Sequence, residues 1–142
     1  MNKYAQLVMD YLDQEGVGYE DHGHDILTVA IDELKVFPQV IVIFSPQEEK
    51  MASFRVRMME VPEDKYIPVI LHCNTLNYSM SLLKFYLGDE GRLWCHADLV
   101  LDEETCQDNC MRMVLTLAQV ADEKIPEFME IISNAPIPRP AS

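Results

Sequence analysis

Four residues of this sequence carry the side chains of a metal or thiol site: Cys95, His96, Cys106 and Cys110. Cys106 and Cys110 are four positions apart in a segment with helical periodicity, so we expect them on one face of a helix. Thiolates and imidazoles are preferred zinc ligands, and an imidazole can activate a thiolate as a nucleophile. A metal-dependent or thiol-dependent enzyme is therefore one hypothesis for this chain.

The context of the cysteines favours a second hypothesis, in which they pack in the core. Structural zinc sites usually contain a close CxxC pair, and none occurs in this sequence. Cys106 and Cys110 continue the apolar stripe of their helix, and Cys95 continues the apolar side of its strand. Free cysteine behaves as a small hydrophobic residue. We therefore predict buried free thiols, Cys73 included, and no bound metal or cofactor.

A smaller polar cluster contains His22, His24 and Asp25. In an extended segment the HxH spacing places both imidazoles on one side of the chain. The sequence identifies no third and fourth ligand, so a polar turn or adventitious metal binding is favoured over a metal site.

The remaining polar groups predict no catalytic residues. Acidic groups at 48–49, 63–64 and 102–104 fall in predicted loops or helix starts, where a carboxylate is solvated or faces the positive end of a helix dipole. The Walker loop and the GxGxxG, HExxH and GxSxG motifs do not occur.

The elements that position these residues follow from hydrophobic periodicity. Helical spacing predicts a first helix that ends near Gly16, followed by a short extended piece through Tyr19. Three strands are then predicted at 26–31, 39–44 and 51–59. The third alternates apolar and polar residues, as in a sheet with one wet face.

A second helix is predicted from residue 63 to about residue 77, and it is apolar on two sides. Such a helix is expected to be well buried. One side contains Ile67, Ile70, Leu71 and Asn74, and the other contains Val69, Cys73 and Leu76.

A hairpin follows the second helix, with strands at 81–88 and 92–102. Its turn contains Gly88 and Gly91, which tolerate a positive φ. Asn74 and Asn77 are one helical turn apart at the preceding helix end. We predict that their amides bond to the following backbone as a cap or hairpin clamp, with a ligand contact as the alternative.

The last helix is predicted to start after Thr105, which is a suitable N-cap residue. Pro126 is expected to break or bend it, with a short continuation beyond.

Residues 1–134 are predicted to form a single domain and residues 135–142 a flexible tail. The order helix, three strands, helix, two strands, helix predicts an α+β fold with one antiparallel sheet of about five strands and three flanking helices. An uncovered apolar face in such a fold would favour a dimer.

The net charge of the chain argues against two kinds of binding. The 24 acidic and 11 basic residues give a formal net charge of -13, which disfavours binding to nucleic acid and to anionic membranes. The first sixteen residues lack the basic start and apolar run of an export signal, so we expect a cytoplasmic protein.

The sequence resembles the YbjN family of bacterial sensory transduction regulators. The resemblance is carried by the opening segment, by the CNTLN sequence with Asn74 and Asn77, and by the block KFYLGDEGRLWCHADLVLD. In the opening segment the matching residues are Val8, Leu12, Gly16, Val17, Tyr19 and Glu20. The resemblance implies the architecture of type III secretion chaperones, dimerisation and the binding of other macromolecules, without catalytic residues. We therefore expect a non-enzymatic homodimer that binds an unidentified protein in a chaperone-like or regulatory role.

Overall fold

The computed structural model describes residues 2–31, 39–46 and 50–134. The acidic pair at 48–49 and the tail at 135–142 lie outside these residues. Within them the chain forms three α-helices and six strands. The helices are α1 (Lys3–Glu15), α2 (Tyr66–Ser79) and α3 (Cys106–Ser133). The strands are β1 (Tyr19–Asp21), β2 (Ile26–Ala30), β3 (Gln39–Phe44), β4 (Met51–Glu60), β5 (Lys84–Leu87) and β6 (Arg92–Val100).

The strands form one antiparallel sheet in the order β1-β2-β3-β4-β6-β5. The predicted α+β class and the three helices are confirmed. The predicted number of about five strands is too low, because the described residues contain six. The additional strand is β1, where Tyr19 pairs with Val29. Its three residues are too few to show the alternation by which a strand is recognised in a sequence.

One face of the sheet forms the core with the helices. α3 packs against β3, β4 and β6, α1 packs against α3, and α2 packs between β5 and α3. The buried face includes Leu27, Val29, Val42, Phe44, Phe54, Val56, Phe85, Leu93, Cys95 and Ala97. We call the opposite side of β4, β5 and β6 the open sheet face: residues 53, 55 and 57 of β4, 84 and 86 of β5, and 92, 94, 96 and 98 of β6. All of these residues are exposed or half-buried, whereas most of their neighbours along the same strands are buried in the core.

Two glycines set the ends of local elements. α1 ends at Glu15, and Gly16 follows in the left-handed region at φ 70°, as predicted. In the hairpin turn the φ of Gly91 is 73°, but that of Gly88 is −92°. The second positive φ of the turn belongs to Glu90 at 61°. Of the turn residues expected to tolerate a positive φ, Glu90 and Gly91 adopt one and Gly88 does not.

α3 departs from its prediction at Pro126, which lies inside a continuous helix of 28 residues. A break at Pro126, one of the two predicted outcomes, does not occur, because Ile125 and Phe128 on either side of the proline are both buried in the core; a bend stays a prediction. Their packing offsets the loss of one backbone N–H from the helix. At the other end Thr105 occupies the N-cap position, but its side chain makes no capping bond. Instead the Asp102 carboxylate accepts from the backbone N–H groups of Glu104 and Thr105.

Candidate protein-binding surfaces

The sheet separates the cysteine and histidine residues of the proposed metal or thiol site. Cys95 is fully buried on the core face, and His96 lies on the open sheet face because successive strand residues point to opposite sides. Cys106 and Cys110 are buried on α3, on the core side. Among the described residues, no three His, Cys, Asp or Glu side chains are grouped as metal ligands. The hypothesis that these four residues form one site is therefore wrong.

Burial also makes the thiols poor nucleophiles. All four cysteines are unpaired and buried. Burial raises the pKa of Cys73 to about 11 and the pKa of Cys95 and Cys110 to about 12. The pKa of Cys106 is also raised, first by burial and then by the charge of Asp102.

We expect the folded protein to react very slowly with a disulfide reagent such as Ellman's reagent. Near neutral pH a thiol of pKa 11 to 12 has roughly a hundredfold to a thousandfold less thiolate than an ordinary cysteine, and burial also blocks access. The rate should rise as pH increases toward these pKa values. Unfolding in urea should release all four thiols. Rapid stoichiometric reaction of the folded protein would instead indicate an activated thiolate.

The segment with His22 and His24 forms a turn. His24 and Asp25 have positive φ angles of 53° and 61°, which agrees with the polar turn favoured above and not with an extended segment. The His22 ring is 2.5 Å from the Thr28 hydroxyl, and the Asp25 carboxylate accepts from the backbone N–H of Asn2 at 2.9 Å. These contacts connect the turn to β2 and to the start of α1.

Asn77 connects the end of α2 to the backbone of β5. Its side-chain amide donates to the carbonyl of Phe85 at 2.9 Å, and its side-chain oxygen accepts from the N–H of Phe85 at 2.7 Å. Asn74 is exposed on the surface of α2. The sequence predicts that the amides of Asn74 and Asn77 act together, but their surroundings differ: Asn77 bonds to the backbone of β5, and Asn74 lies on the surface of α2.

Replacing Asn77 with alanine is expected to lower the free energy of unfolding by about 2 kcal/mol, because two backbone hydrogen bonds of β5 are lost at about 1 kcal/mol each. Gln119→Ala is the matched control, because it removes an exposed side-chain amide of α3 outside both candidate surfaces, and the expected change is below about 0.5 kcal/mol. Urea unfolding at equal protein concentration measures both. Equal losses for the two variants would contradict a specific role of Asn77.

The outer side of α2 is an exposed apolar surface, which we call the α2 stripe: Ile67, Ile70, Leu71, Asn74 and Tyr78. Ile67 is 72% exposed, Leu71 62% and Tyr78 95%. The opposite side of the same helix is buried through Val69, Cys73 and Leu76. The prediction of a well buried helix is thus right for one side and wrong for the other in the single chain.

The α2 stripe is also free of charge. Of the three α-helices in the described part of the chain, α2 alone contains no Asp, Glu, Lys or Arg. Large exposed apolar patches on a soluble protein mark interaction sites. The stripe is therefore a candidate surface for another polypeptide.

The open sheet face is a second candidate surface, and it is polar and aromatic. Arg55 pairs with His96, which pairs with Lys84 on the next strand, so the three side chains form one row. In the neighbouring row Trp94 lies between Arg57 and Tyr86. The alternation of residues along each strand does not predict these rows, because they depend on which strands are paired.

His96 is held in the centre of the open sheet face. One ring nitrogen is 3.1 Å from the hydroxyl of Tyr86, and the other is 2.8 Å from the carboxylate of Asp98. The hydroxyl of Ser53 donates to the same carboxylate at 2.7 Å. Burial opposes ionisation of Asp98, but the hydrogen bonds to His96 and Ser53 outweigh it and lower the pKa of the carboxyl below its usual value. Asp98 thus stays ionised and fixes the histidine.

Several solved structures are similar to this chain in fold. E. coli YbjN, described as "a putative transcription regulator", is 12% identical with a TM-score of 0.65, and the match covers 87% of this chain and 92% of that chain. The Yersinia pestis type III secretion chaperone SycH, in complex with a stable fragment of YscM2, is 16% identical with a TM-score of 0.57, covering 84% and 97%. A chain of the ExoU–SpcU complex from the type III secretion system of Pseudomonas aeruginosa is 21% identical with a TM-score of 0.56, covering 87% and 96%. The chain therefore has a type III secretion chaperone-like fold.

A comparison of the sequence with family profiles assigns the chain to a family. The YbjN family profile, described as "Putative bacterial sensory transduction regulator", matches residues 5–130. The chain belongs to the YbjN family, which confirms the predicted resemblance. No curated protein sequence matches the chain. Among the described residues, no helix is long and apolar enough to cross a membrane.

Proposed function

We propose that this protein is a non-enzymatic, cytoplasmic binding module that forms a homodimer through the α2 stripe and holds or regulates a partner protein. The observation that carries the proposal is the α2 stripe itself. Three large apolar side chains, Ile67, Leu71 and Tyr78, are more than half exposed on one side of a helix whose other side is in the core. Burial of each in an interface contributes roughly 1.5 to 3 kcal/mol.

The charge of the chain favours a second copy as the occupant of the stripe. Two copies that each carry a formal charge of -13 repel one another over most of their surfaces. Contact through α2 brings together surfaces without charged residues, so this repulsion is smallest there. A twofold dimer also requires a patch that is complementary to itself. A narrow apolar stripe along one helix meets that requirement, because it can pack against the same stripe of a second copy.

Two further points support a partner protein. SycH was solved with a fragment of YscM2, and the ExoU–SpcU complex is heterodimeric, so proteins of this fold form complexes with other proteins. In this chain the open sheet face lies on the opposite side of the sheet from α1 and α3. A dimer formed through α2 leaves that face available for a partner.

Native mass spectrometry of the untagged protein tests the proposal. We expect a dimer without a stoichiometric metal or organic adduct. Protein purified from its own bacterium should in addition show the mass of one bound polypeptide in a fixed ratio to the dimer. A monomer at every concentration measured would overturn the dimer, and a stoichiometric metal or small molecule would overturn the non-enzymatic role.

A further inference from the structure

The basic residues of this acidic protein are unevenly placed. The whole chain has 24 acidic and 11 basic residues. Four of the basic residues, Arg55, Arg57, Lys84 and Arg92, lie together on the open sheet face. We call these four residues the basic cluster. The positive charge of the basic cluster is opposite in sign to the net charge of the chain. The cluster is therefore suited to contact a negatively charged group.

In the central row of the basic cluster, Arg55 and Lys84 form no close ion pair with any described residue, and Asp98 is bonded to His96 between them. Arg55 and Lys84 flank His96 on neighbouring strands, which places the two cations about 10 Å apart in backbone spacing. Among the described residues, neither forms an ion pair within 4.0 Å. The Asp98 carboxylate is bonded to His96 and Ser53, and the charge of Lys84 also helps to lower the pKa of Asp98.

The outer members of the cluster differ, because each has a local partner. Arg57 pairs with Glu60 at 2.5 Å, and Arg92 pairs with Glu90 at 2.9 Å. Those carboxylates are well exposed, so their pairs are weak and exchange easily with another carboxylate.

The Nε atoms of Arg55 and Arg92 are buried and have no hydrogen-bond acceptor among the described residues. A guanidinium binds a carboxylate best when two of its N–H groups are used together.

Aromatic side chains complete this surface. Trp94 and Tyr86 lie side by side in the row next to Arg55, His96 and Lys84, and both are half-buried. They offer an apolar area beside the cations. A ligand that fits therefore has carboxylates and at least one apolar side chain, and it extends across three strands.

We propose that the open sheet face binds an acidic segment of the partner protein, with its carboxylates on Arg55 and Lys84 and an apolar side chain against Trp94 and Tyr86. The inference rests on the proposed protein-binding function and names the chemistry of the bound segment. A nucleic acid is a poorer fit, because its charged backbone continues beyond the basic cluster onto the acidic remainder of the surface.

A binding experiment with a defined peptide tests this inference. The probe is a fluorescein-labelled peptide of glutamate, serine and leucine, compared with the same peptide carrying lysine in place of each glutamate and with a labelled single-stranded oligonucleotide. Fluorescence anisotropy should show binding of the glutamate peptide alone. Added salt should weaken it roughly tenfold, because exposed charges are screened.

Lys84→Glu should weaken binding of the glutamate peptide by at least about tenfold, since an attractive charge becomes a repulsive one. Arg112→Glu is the matched control, because Arg112 is exposed on α3 and the charge change is the same. It should change binding less than about twofold. Both positions are exposed, so both variants should fold.

Three results would overturn the inference: equal weakening by the two variants, binding of the lysine peptide, or binding of the oligonucleotide alone. A failure of this inference can be distinguished from a failure of the proposed function. If native mass spectrometry shows a dimer with a bound polypeptide and Lys84→Glu retains that polypeptide, the binding function stands and its assignment to the open sheet face is wrong.

Discussion

Replacing Leu71 with glutamate is expected to convert the proposed dimer to a monomer. Leu71 lies in the α2 stripe and is 62% exposed in the single chain, so the substitution disturbs no core contact of the monomer. Glutamate is as good a helix former as leucine, so α2 should remain intact. In a twofold dimer the change places two like charges in an apolar contact. The cost is about 3 kcal/mol, or roughly a hundredfold in the dimer dissociation constant.

Leu115→Glu is the matched control, because it makes the same substitution at a partly exposed leucine of α3. It should remain dimeric. Sedimentation velocity over a range of protein concentrations measures the association of both variants, and circular dichroism checks that each is folded. A Leu71→Glu protein that dimerises as tightly as the parent chain would exclude the α2 stripe as the interface.

Replacing Gly91 with alanine is expected to lower the free energy of unfolding by about 3 kcal/mol. Its φ of 73° costs an L-residue about 1 to 2 kcal/mol. A methyl group at this position would also lie 2.6 Å from the Tyr66 hydroxyl and 2.7 Å from the carbonyl oxygen of Val61, and such overpacking costs about 1 to 3 kcal/mol. The surroundings cannot shift easily, because the N–H of Val61 donates to the carbonyl of Gly91 at 2.7 Å.

Alanine substitutions at two other glycines distinguish the cost of a positive φ from the cost of close contacts. Gly16→Ala introduces the strain of a positive φ of 70° but meets no heavy atom within 4 Å, so about 1 kcal/mol should be lost. Gly18→Ala has neither cost and should leave stability nearly unchanged. Urea unfolding should be measured at one protein concentration, because the stability of a dimer depends on it. If Gly91→Ala were no worse than Gly16→Ala, the close contacts at Gly91 would carry no cost.

The α2 helix shows how far the sequence predicts this molecule. Its periodicity separates the residues of its two sides correctly, with Leu71 on one and Val69 on the other. It does not show which side faces the core, because both are apolar. That choice depends on where β5 and α3 lie, and these contacts are between segments distant in the sequence.

The rows of the open sheet face cannot be predicted from the sequence for a related reason. Arg55, His96 and Lys84 form a row only because β6 lies between β4 and β5. The hairpin signal predicts the pairing of β5 with β6, but it contains no information about β4. Conversely, Cys95 and His96 are adjacent in the sequence and lie on opposite faces of the sheet. Proximity along a strand is therefore a poor guide to a shared site.

Asn77 has a consequence for assembly. β5 is an edge strand, and the backbone N–H and C=O of Phe85 that point away from β6 would otherwise be open to a strand of another molecule. The Asn77 amide offers one donor and one acceptor to Phe85, so it substitutes for the missing neighbour. At the other edge β1 has three residues, and Glu20 and Asp21 are exposed there. Both ends of the sheet thus resist the addition of strands, and the proposed contact through α2 would join copies of the chain in closed pairs rather than in growing fibres.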